Sequence, residues 1–268
     1  MLNPDNKYPV KSLIKALGIL VYLGTLESGS TLTEISAKLR IGKSTVHRLL
    51  GTLRDHDFVW LEPYSSRYIL GARVLQLSEQ LSHQSLLVRY GAAILSRLAR
   101  DTGETCNLGL LDGKSVLYLV IKESNAPLRM TGTVGKRLPA HCTALGKALL
   151  CGLSRAELVR LYGKTAKLEA LTKKSISTVS ALLEHIDKNR SAGAVFEYEE
   201  TFPGVVCMAA PVRTHGGKTI AAISIAFPKN RVSSKRMQEF KVLLLDAAQE
   251  LSGELGYQTS KQLEAALA

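Results

Sequence analysis

The stretch LTEISAKLRIGKSTVHRLLGTL, residues 32–53, decides how the first part of the chain folds. Apolar residues at 32, 35 and 39 repeat at intervals of three and four, which is the period of an amphipathic helix. Ile41-Gly42 then makes a tight turn, and a second helix is expected from about Lys43 to His56. Apolar residues on one face of this second helix are expected to be buried, namely Val46, Leu49, Leu50 and Leu53. The stretch therefore predicts a helix-turn-helix.

The four residues Gly42-Lys43-Ser44-Thr45 also look like the end of a phosphate-binding loop. Such a loop needs Gly-x-x-x-x-Gly-Lys-Ser/Thr after a buried strand. Here Ala37 stands at the position of the first glycine, and a helical pattern precedes it. Gly146-Lys147 fails the same test, because Ala148 follows it and His141 stands where the first glycine belongs. The sequence thus argues against a nucleotide-binding loop at both places.

The composition is that of a folded, strongly basic protein. The chain has 268 residues, 46% of them hydrophobic, and a formal net charge of +12, which suits one large domain or two modest ones. No window has the roughly 18 uninterrupted apolar residues of a membrane span, and the start MLNPDNKYPVK lacks a secretory pattern. The four cysteines form no CxxC pair, so we expect reduced thiols and a cytoplasmic location.

The positive charge is concentrated beside the predicted turn. Lys38, Arg40, Lys43, Arg48 and Arg54 lie in a segment, 38–54, that contains no Asp or Glu. A run of charge is often only a solvated helix face. Next to a helix-turn-helix, however, it favours contact with the phosphates of DNA.

The flanking sequence completes a winged helix-turn-helix. A first helix is expected from about Ser12, and FVWLEPYSSRYIL, residues 58–70, predicts a small hairpin. The second helix of such a motif presents its N-terminal residues to DNA, and the hairpin contacts the backbone or the minor groove. The candidate DNA-binding residues are therefore Lys43, Ser44, Thr45, His47 and Arg48 in the helix, with Arg67 and Tyr68 in the wing.

The rest of the chain predicts a linker and an α+β domain. Residues 72–100 have a helical pattern with a polar break at 82–85, and Val74, Leu77 and Leu81 form an apolar stripe that serves either ordinary packing or a dimer contact. Strand-like runs follow, including LRMTGTV at 128–134, with helices between them. The expected organisation is a DNA-binding domain at 8–71, a linker helix at 72–85, a second domain at 86–258 and a tail at 259–268.

Longer segments resemble the isocitrate-lyase-regulator (IclR) family of transcription regulators. The similarity lies in residues 32–53 followed by RYILGARVLQLSEQL (67–81), in GKRLPAHCTALGKALL (135–150) and in AVFEYEETFPGVVCMAAPV (194–212). It extends from about Val10 to Gly256. One departure is Arg40, where the family usually has glycine. A positive φ at this residue would cost roughly 1 kcal/mol.

The resemblance implies that the second domain is GAF-like and binds a small effector, often a carboxylate. By the family pattern, His141, Thr143 and Ala144 lie at a helix start, where free N–H groups attract carboxylates. The pattern also places polar groups at Glu197, Cys207 and Ser224 and an apolar wall at Met130, Leu138 and Val205. Ala226 replaces a hydroxyl residue common in relatives, and Glu197 replaces a shorter acid, so a different ligand is expected. Glu197 is expected to accept hydrogen bonds from ligand hydroxyls, since a second anion beside a carboxylate is repulsive.

Other function classes remain open at this level. A metal- or redox-responsive regulator using Cys and His residues of the second domain is the main alternative. No catalytic residues and no cofactor are predicted, because no group orients a Cys-His pair. The expected partners are a double-stranded DNA operator, a small-molecule effector and further copies of the chain, as a homodimer or homotetramer.

Overall fold

A computed structural model describes residues 9–77 and 85–257. The contacts within the chain divide it into two compact units, with the boundary between Gln84 and Ser85. The first unit begins with three helices, α1 (Lys11–Leu23), α2 (Leu32–Leu39) and α3 (Lys43–Asp55), and continues with strands β1 (Val59–Leu61) and β2 (Tyr68–Leu70). The two strands pair antiparallel, with Val59 opposite Leu70. The predicted winged helix-turn-helix is confirmed, and a helix precedes Gly42 where a phosphate-binding loop would need a strand.

Both ends of α2 are determined by local chemistry. The Thr31 hydroxyl accepts a hydrogen bond from the Glu34 N–H, and the Glu34 carboxylate accepts one from the Thr31 N–H, which together form a capping box. At the other end, Arg40 has φ 54° and ψ 43°, in the left-handed region. The chain therefore makes its turn with a non-glycine residue in this region, at a cost of roughly 1 kcal/mol.

The core of the first unit draws on all three helices and the hairpin. Val46 and Leu50 of α3 are buried as predicted, whereas Leu49 and Leu53 are only partly buried. Leu13 and Leu17 of α1 are exposed, whereas Ile19 and Leu23 of the same helix are buried in the core. The buried apolar side chains of this unit are Ile19, Leu23, Ile35, Ile41, Val46, Leu50 and Val59.

A further helix, α4, begins at residue 72 and is described as far as 77. Leu77 is about half exposed there, at 49%. Leu81, the other leucine expected to form a dimer contact, lies outside the described residues. The proposed contact through this stripe stays a prediction.

The second unit is an antiparallel sheet with helices on both faces. Its strands are β3 (Thr105–Asp112), β4 (Ser115–Lys122), β5 (Arg137–Pro139), β6 (Val195–Tyr198), β7 (Val205–Arg213) and β8 (Thr219–Pro228). They lie in the order β5-β4-β3-β8-β7-β6. The helices are α5 (Leu86–Thr102), α6 (Ala144–Leu150), α7 (Arg155–Tyr162), α8 (Val179–Asn189) and α9 (Ser234–Glu254). This mixed architecture confirms the predicted α+β class.

Two apolar layers cover opposite faces of this sheet. Helices α5 and α9 pack on one face, where Leu95 and Leu244 are fully buried with Ile223 and Ile225 of β8. Helices α6, α7 and α8 pack on the other face, against residues such as Ala222. Because side chains alternate along a strand, Ser224 lies on the same face as Ala222. The polar residues of the sheet are thereby directed to the α6 side.

The prediction of a strand at 128–134 was wrong. Residues 128–134 form no strand in the structure, and the short strand beside β4 is Arg137–Pro139. The earlier segment is anchored instead by the Thr105 hydroxyl, which donates a hydrogen bond of 2.7 Å to the Met130 carbonyl. Within 128–134 only Met130 is half-buried, whereas Leu128 and Val134 are exposed, so the alternation of apolar and polar residues does not correspond to a buried face.

Candidate functional site

The N-terminal end of α3 presents a polar surface. Lys43, Ser44, His47 and Arg48 are exposed and Thr45 is half-buried, while Val46 is fully buried on the opposite face. The N-cap residue is Gly42, which offers no side-chain acceptor. The first N–H groups of the helix are therefore free to meet an anion, as the positive end of the helix dipole favours.

The basic residues around this helix are all directed to solvent. Lys38, Arg40 and Arg54 are exposed together with Lys43 and Arg48. The sequence places no carboxylate among them between 38 and 54. The electrostatic potentials of these cations therefore add, and the resulting positive surface attracts polyanions.

The two wing candidates, Arg67 and Tyr68, have structural contacts of their own. The Arg67 guanidinium donates to the Gly29 carbonyl at 2.9 Å and to both Glu34 carboxylate oxygens at 3.2 and 3.3 Å. The backbone of Tyr68 exchanges hydrogen bonds with Ser30 at 2.8 and 3.0 Å. These contacts fasten the wing to the start of α2, so Arg67 is already engaged by a carboxylate within its own domain.

A cavity of about 350 Å³ opens in the second unit, on the α6 face of the sheet. Strand residues form its floor, the start of α6 forms one side, and residues 129–133 cover part of it. Eight of the nine expected effector residues line it: Met130, Leu138, Thr143, Ala144, Glu197, Val205, Cys207 and Ser224.

Strand register explains why residues distant in sequence meet in this cavity. Glu197 of β6 lies opposite Cys207 of β7, which lies opposite Ala226 of β8. Asn107 of β3 lies opposite Ser224 of β8, and its Nδ2 donates a hydrogen bond of 3.2 Å to the Ser224 hydroxyl. Directly opposed residues share a face, so the sheet presents two neighbouring rows of small and polar side chains, Glu197–Cys207–Ala226 and Ser224–Asn107.

The start of α6 supplies backbone donors. The Thr143 hydroxyl accepts a hydrogen bond of 3.0 Å from the Gly146 N–H. Among the described residues, the N–H groups of Ala144 and Leu145 have no hydrogen-bond acceptor. Because α6 has only seven residues, these two N–H donors contribute more to an interaction with an anion than the helix dipole does.

Glu197 lies on the edge strand β6, and its side chain is fully buried. Its Oε1 accepts hydrogen bonds from the N–H groups of Glu200 and Thr201, the latter at 3.0 Å. Its Oε2 is buried with no partner among the described residues. Burial raises the pKa of this carboxyl, whereas the two N–H bonds and the neighbouring Cys207 thiol lower it.

His141 is the one expected effector residue that does not line the cavity. Its Nε2 lies 2.8 Å from the Glu169 carbonyl oxygen, and its ring meets Tyr162 edge to face. The imidazole therefore braces the segment before α6. His141, expected at the effector site, thus contacts Glu169 and Tyr162 instead.

Sequence reasoning missed several residues of the cavity. Asn107 gave a usable signal, because it is an amide within the apolar strand CNLGLL and buried amides need partners. Arg129 and Lys136 gave none, since exposed cations are common. The missed polar lining residues are Thr105, Asn107, Tyr118, Arg129, Thr131, Thr133, Lys136 and Thr201.

The thiols and possible metal ligands do not support the metal- or redox-responsive alternative. Within residues 9–77 and 85–257, no group of three or more His, Cys, Asp or Glu side chains is arranged to hold a metal ion. Burial raises the pKa of Cys106 to about 12, of Cys151 to about 11, and of Cys207 well above its ordinary value. A protonated thiol reacts slowly with oxidants.

Comparisons with known proteins agree with this arrangement of a winged domain and a cavity-bearing domain. The model of the bacterial transcriptional regulator IclR C-terminal domain matches residues 80–253, and that of the IclR helix-turn-helix domain matches residues 12–62. The chain belongs to the IclR family of transcriptional regulators. The regulator KdgR of Escherichia coli strain K12 is 35% identical over 260 residues, which cover 96% of this chain and 98% of KdgR.

Solved structures of the family share the fold. An IclR transcriptional regulator from Alicyclobacillus acidocaldarius superposes with a TM-score of 0.82 at 26% identity, covering 93% of this chain and all of that one. An IclR homolog from Microbacterium hydrocarbonoxydans, complexed with 4-hydroxybenzoate, has a TM-score of 0.78 at 19% identity over 91% and 98% of the two chains. That second likeness concerns the fold alone. No helix in the described ranges has the length and apolar character needed to cross a membrane.

Proposed function

We propose that this IclR-family regulator binds a pseudo-palindromic operator as a homo-oligomer and changes its operator affinity when a small organic acid occupies the C-terminal cavity. The observation that carries the proposal is the cavity itself. It combines an apolar wall with a few converging polar groups, as small-molecule sites do. Glu197, Cys207 and Ser224, which the family resemblance suggested as effector residues, are among its lining residues.

The DNA-binding half of the proposal rests on the exposed N-terminal turn of α3. We propose that Arg48, which is exposed, reaches a base edge and that Lys43 and Ser44 meet phosphates. Thr45 and His47 complete the surface. Arg67 and Tyr68 act mainly by holding the wing in position, because their described contacts lie within the domain.

Pairing of two chains follows from the size of this surface. One recognition helix offers few base contacts, and two-fold pairing on a symmetric site multiplies them. Footprinting combined with analytical ultracentrifugation tests this. We expect a protected site with two-fold symmetry and an assembly of two or four chains. A monomer that protects one asymmetric half-site would contradict the proposal.

The effector half of the proposal is that the ligand is an anionic metabolite, such as a carboxylic or sugar acid. The unpaired N–H groups of Ala144 and Leu145 suit a carboxylate, and the hydroxyl of Ser224 suits a second polar group. The Microbacterium homolog was solved with 4-hydroxybenzoate, a carboxylate, which makes that compound a sensible member of a screen. An uncharged or cationic ligand would speak against this assignment.

The experiment is a calorimetric screen of organic acids on the full chain, followed by operator titration with and without the compound that binds. Ser224→Ala should weaken effector binding by roughly 1 kcal/mol, the value of one hydrogen bond. Ser180→Ala is the matched control, since Ser180 is exposed on α8 and outside the cavity. Equal affinities for the two variants would place the effector elsewhere.

A regulator rather than an enzyme is also the better interpretation of the cavity chemistry. KdgR of Escherichia coli is named as a transcriptional regulator, and burial raises the pKa of the Cys207 thiol, which keeps it protonated. Because operator DNA is the proposed partner, we propose that the protein acts in the cytoplasm. A turnover assay with the identified effector should show binding without chemical change.

A further inference from the structure

The second unit carries more net positive charge than the winged unit. Residues 85–257 contain 24 lysine and arginine residues against 15 aspartate and glutamate residues, whereas residues 9–77 contain nine against five. The formal net charge is therefore +9 for residues 85–257 and +4 for residues 9–77. Most of the cations of the second unit are exposed, so a cavity that holds one small acid does not use them.

Two of these exposed cations lie on hairpin turns at one end of the sheet. Strands β3 and β8 pair antiparallel, with Gly109 opposite Ala222. The turn that follows β3 and the turn that precedes β8 therefore lie at the same end of the sheet. The first turn carries Lys114 and the second carries Lys218, and both side chains are exposed.

Contacts with α7 place further cations beside these two turns. The Lys114 ammonium lies 5.7 Å from the centroid of the ring of Tyr162, the last residue of α7. The pKa of Glu157 on α7 is lowered, first by hydrogen bonds from the N-cap residue of the helix and further by the charges of Arg160 and Lys218. The turns and α7 thus form one surface. We call it the basic end and define it by four exposed cations, Lys114, Arg160, Lys164 and Lys218.

The carboxylates beside the basic end already have partners. Asp112 accepts a hydrogen bond of 2.7 Å from Arg137, and Asp187 is paired with Arg155 at the start of α7. Glu157 accepts the hydrogen bonds of the capping box. Within residues 9–77 and 85–257, none of the four cations of the basic end forms a salt bridge. Their charges are therefore available to an external anion.

We propose that the basic end binds the phosphate backbone of duplex DNA, outside the base pairs that α3 contacts. The inference rests on the proposed operator binding and adds a second DNA contact, made by the unit that holds the effector cavity. Cations that neutralise phosphates release counterions from DNA whatever its base sequence. The second contact therefore raises affinity and salt dependence without adding base preference.

The surface chemistry favours DNA over an acidic protein as the partner. Protein interfaces are anchored by buried aromatic and other large side chains. No large hydrophobic side chain is exposed in 112–116, 154–164 or 213–219, the segments that build the basic end. DNA held by the winged unit of the same chain also meets the basic end at a high effective concentration, at which weak phosphate contacts add to affinity.

The experiment uses the full chain and a variant in which all four cations of the basic end are replaced by glutamine. Affinities are measured over a range of salt concentrations on an operator duplex trimmed to the base pairs that α3 contacts and on one extended on both sides. On the extended duplex, the variant should lose about 0.9 of the slope of log affinity against log salt concentration for each phosphate contact removed. Four lost contacts make the fall in affinity between about 50 and 200 mM salt roughly a hundredfold smaller. On the trimmed duplex, variant and wild type should agree.

A matched control has the same change in net charge on the other face of the sheet. It replaces four cations of α5 and α9 by glutamine, namely Arg89, Arg100, Lys235 and Lys241. Its salt slopes should stay near those of the wild type on both duplexes. Hydroxyl-radical footprinting should show flanking protection for wild type and control, and its loss in the basic-end variant. Circular dichroism establishes that each variant is folded.

The possible failures are distinguishable. Equal slopes for wild type and basic-end variant on the extended duplex would overturn the proposal, and the basic end would then be a solvated surface or meet an acidic protein. An equal reduction in the control would also overturn it, because net charge alone would be the cause. If the wild type does not distinguish operator from scrambled DNA, the proposed operator binding fails instead, and the slopes on long scrambled duplexes still decide whether the basic end contacts phosphates.

Discussion

Lys147 of α6 forms a buried salt bridge with Glu200, and the backbone N–H of Glu200 in turn bonds the Glu197 carboxyl in the cavity wall. The Lys147 side chain is fully buried and that of Glu200 is 11% exposed. This pair connects the helix that begins at the cavity with the loop that positions Glu197. Its integrity therefore bears on both the stability and the ligand affinity of the second unit.

Lys147→Met is expected to destabilise the second unit by about 3–5 kcal/mol, because it leaves the Glu200 charge buried without its partner. Lys147→Met combined with Glu200→Gln should recover part of that loss, since no buried charge then remains. Urea unfolding, followed by hydrogen exchange of the amides in β7 and β8, measures both. A double variant as unstable as the single one would show that the pair contributes through packing alone.

Arg40→Gly is expected to stabilise the first unit by roughly 1 kcal/mol, because glycine adopts the left-handed conformation of Arg40 without strain. The same change removes a cation beside α3. Operator affinity at low salt should fall, and the salt dependence should lessen by about one charge if Arg40 contacts a phosphate. Arg40→Ala, which removes the charge but keeps a non-glycine residue in the left-handed region, separates the two effects.

Two substitutions in α3 distinguish base recognition from phosphate contact. Arg48→Ala should weaken binding to the operator by roughly 1–3 kcal/mol and relax preference at one base position. Lys43→Ala should weaken binding to all DNA sequences alike and reduce the slope of log affinity against log salt concentration by about one. Titrations against operator and scrambled DNA at several salt concentrations measure both. An Arg48→Ala variant with unchanged affinity and base preference would contradict the assignment of α3.

The capping of α2 should make its stability depend on acid pH. The pKa of Glu34 is lowered, chiefly by the Thr31 backbone N–H bond, with Arg67 adding to the effect. A lowered folded-state pKa contributes stability that is present above the unfolded value of about 4.3 and is lost as the pH falls through the folded value. Hydrogen exchange of the α2 amides should be faster in Glu34→Gln than in wild type at pH 6.

That difference between Glu34→Gln and wild type should shrink as the pH approaches the lowered pKa, because the wild-type carboxylate is then protonated too. Glu27→Gln is the matched control, since Glu27 is exposed in the loop before α2. A difference that is independent of pH would mean that the hydrogen bonds of Glu34 do not require its charge.

The sequence predicted what depends on local periodicity and on family motifs. The helices at 32–39 and 43–55 follow from apolar spacing, and the eight cavity residues followed from similarity to the family. The partner of Lys147 could not be predicted, because Glu200 is 53 residues away and the pairing depends on how α6 packs on β6. The prediction of a strand at 128–134 was wrong for a related reason, since alternation of apolar and polar residues alone does not distinguish a strand from a loop that covers a cavity.

Gly146 permits the close approach that positions the start of α6. A Cβ atom at this residue would lie 2.1 Å from the Ala140 carbonyl oxygen and 2.3 Å from the Ala140 Cα. Both are backbone atoms, so no side-chain rotation relieves the clash. The segment before α6 would have to shift, and the Ala144 and Leu145 N–H groups would shift with it.

Gly146→Ala should therefore destabilise the second unit by about 1–3 kcal/mol, as other overpacked cores do, and should weaken binding of the identified organic acid. Gly253→Ala in α9 is the matched control, because nothing lies within 4 Å of a Cβ there. Its helical site should gain up to about 1 kcal/mol from the same substitution. Hydrogen exchange of the sheet amides and calorimetry with the acid measure the two effects. If Gly146→Ala matched Gly253→Ala in both measurements, the position of the start of α6 would not depend on this contact. The close approach of Gly146 to Ala140 would then not be what holds the Ala144 and Leu145 N–H groups at the cavity.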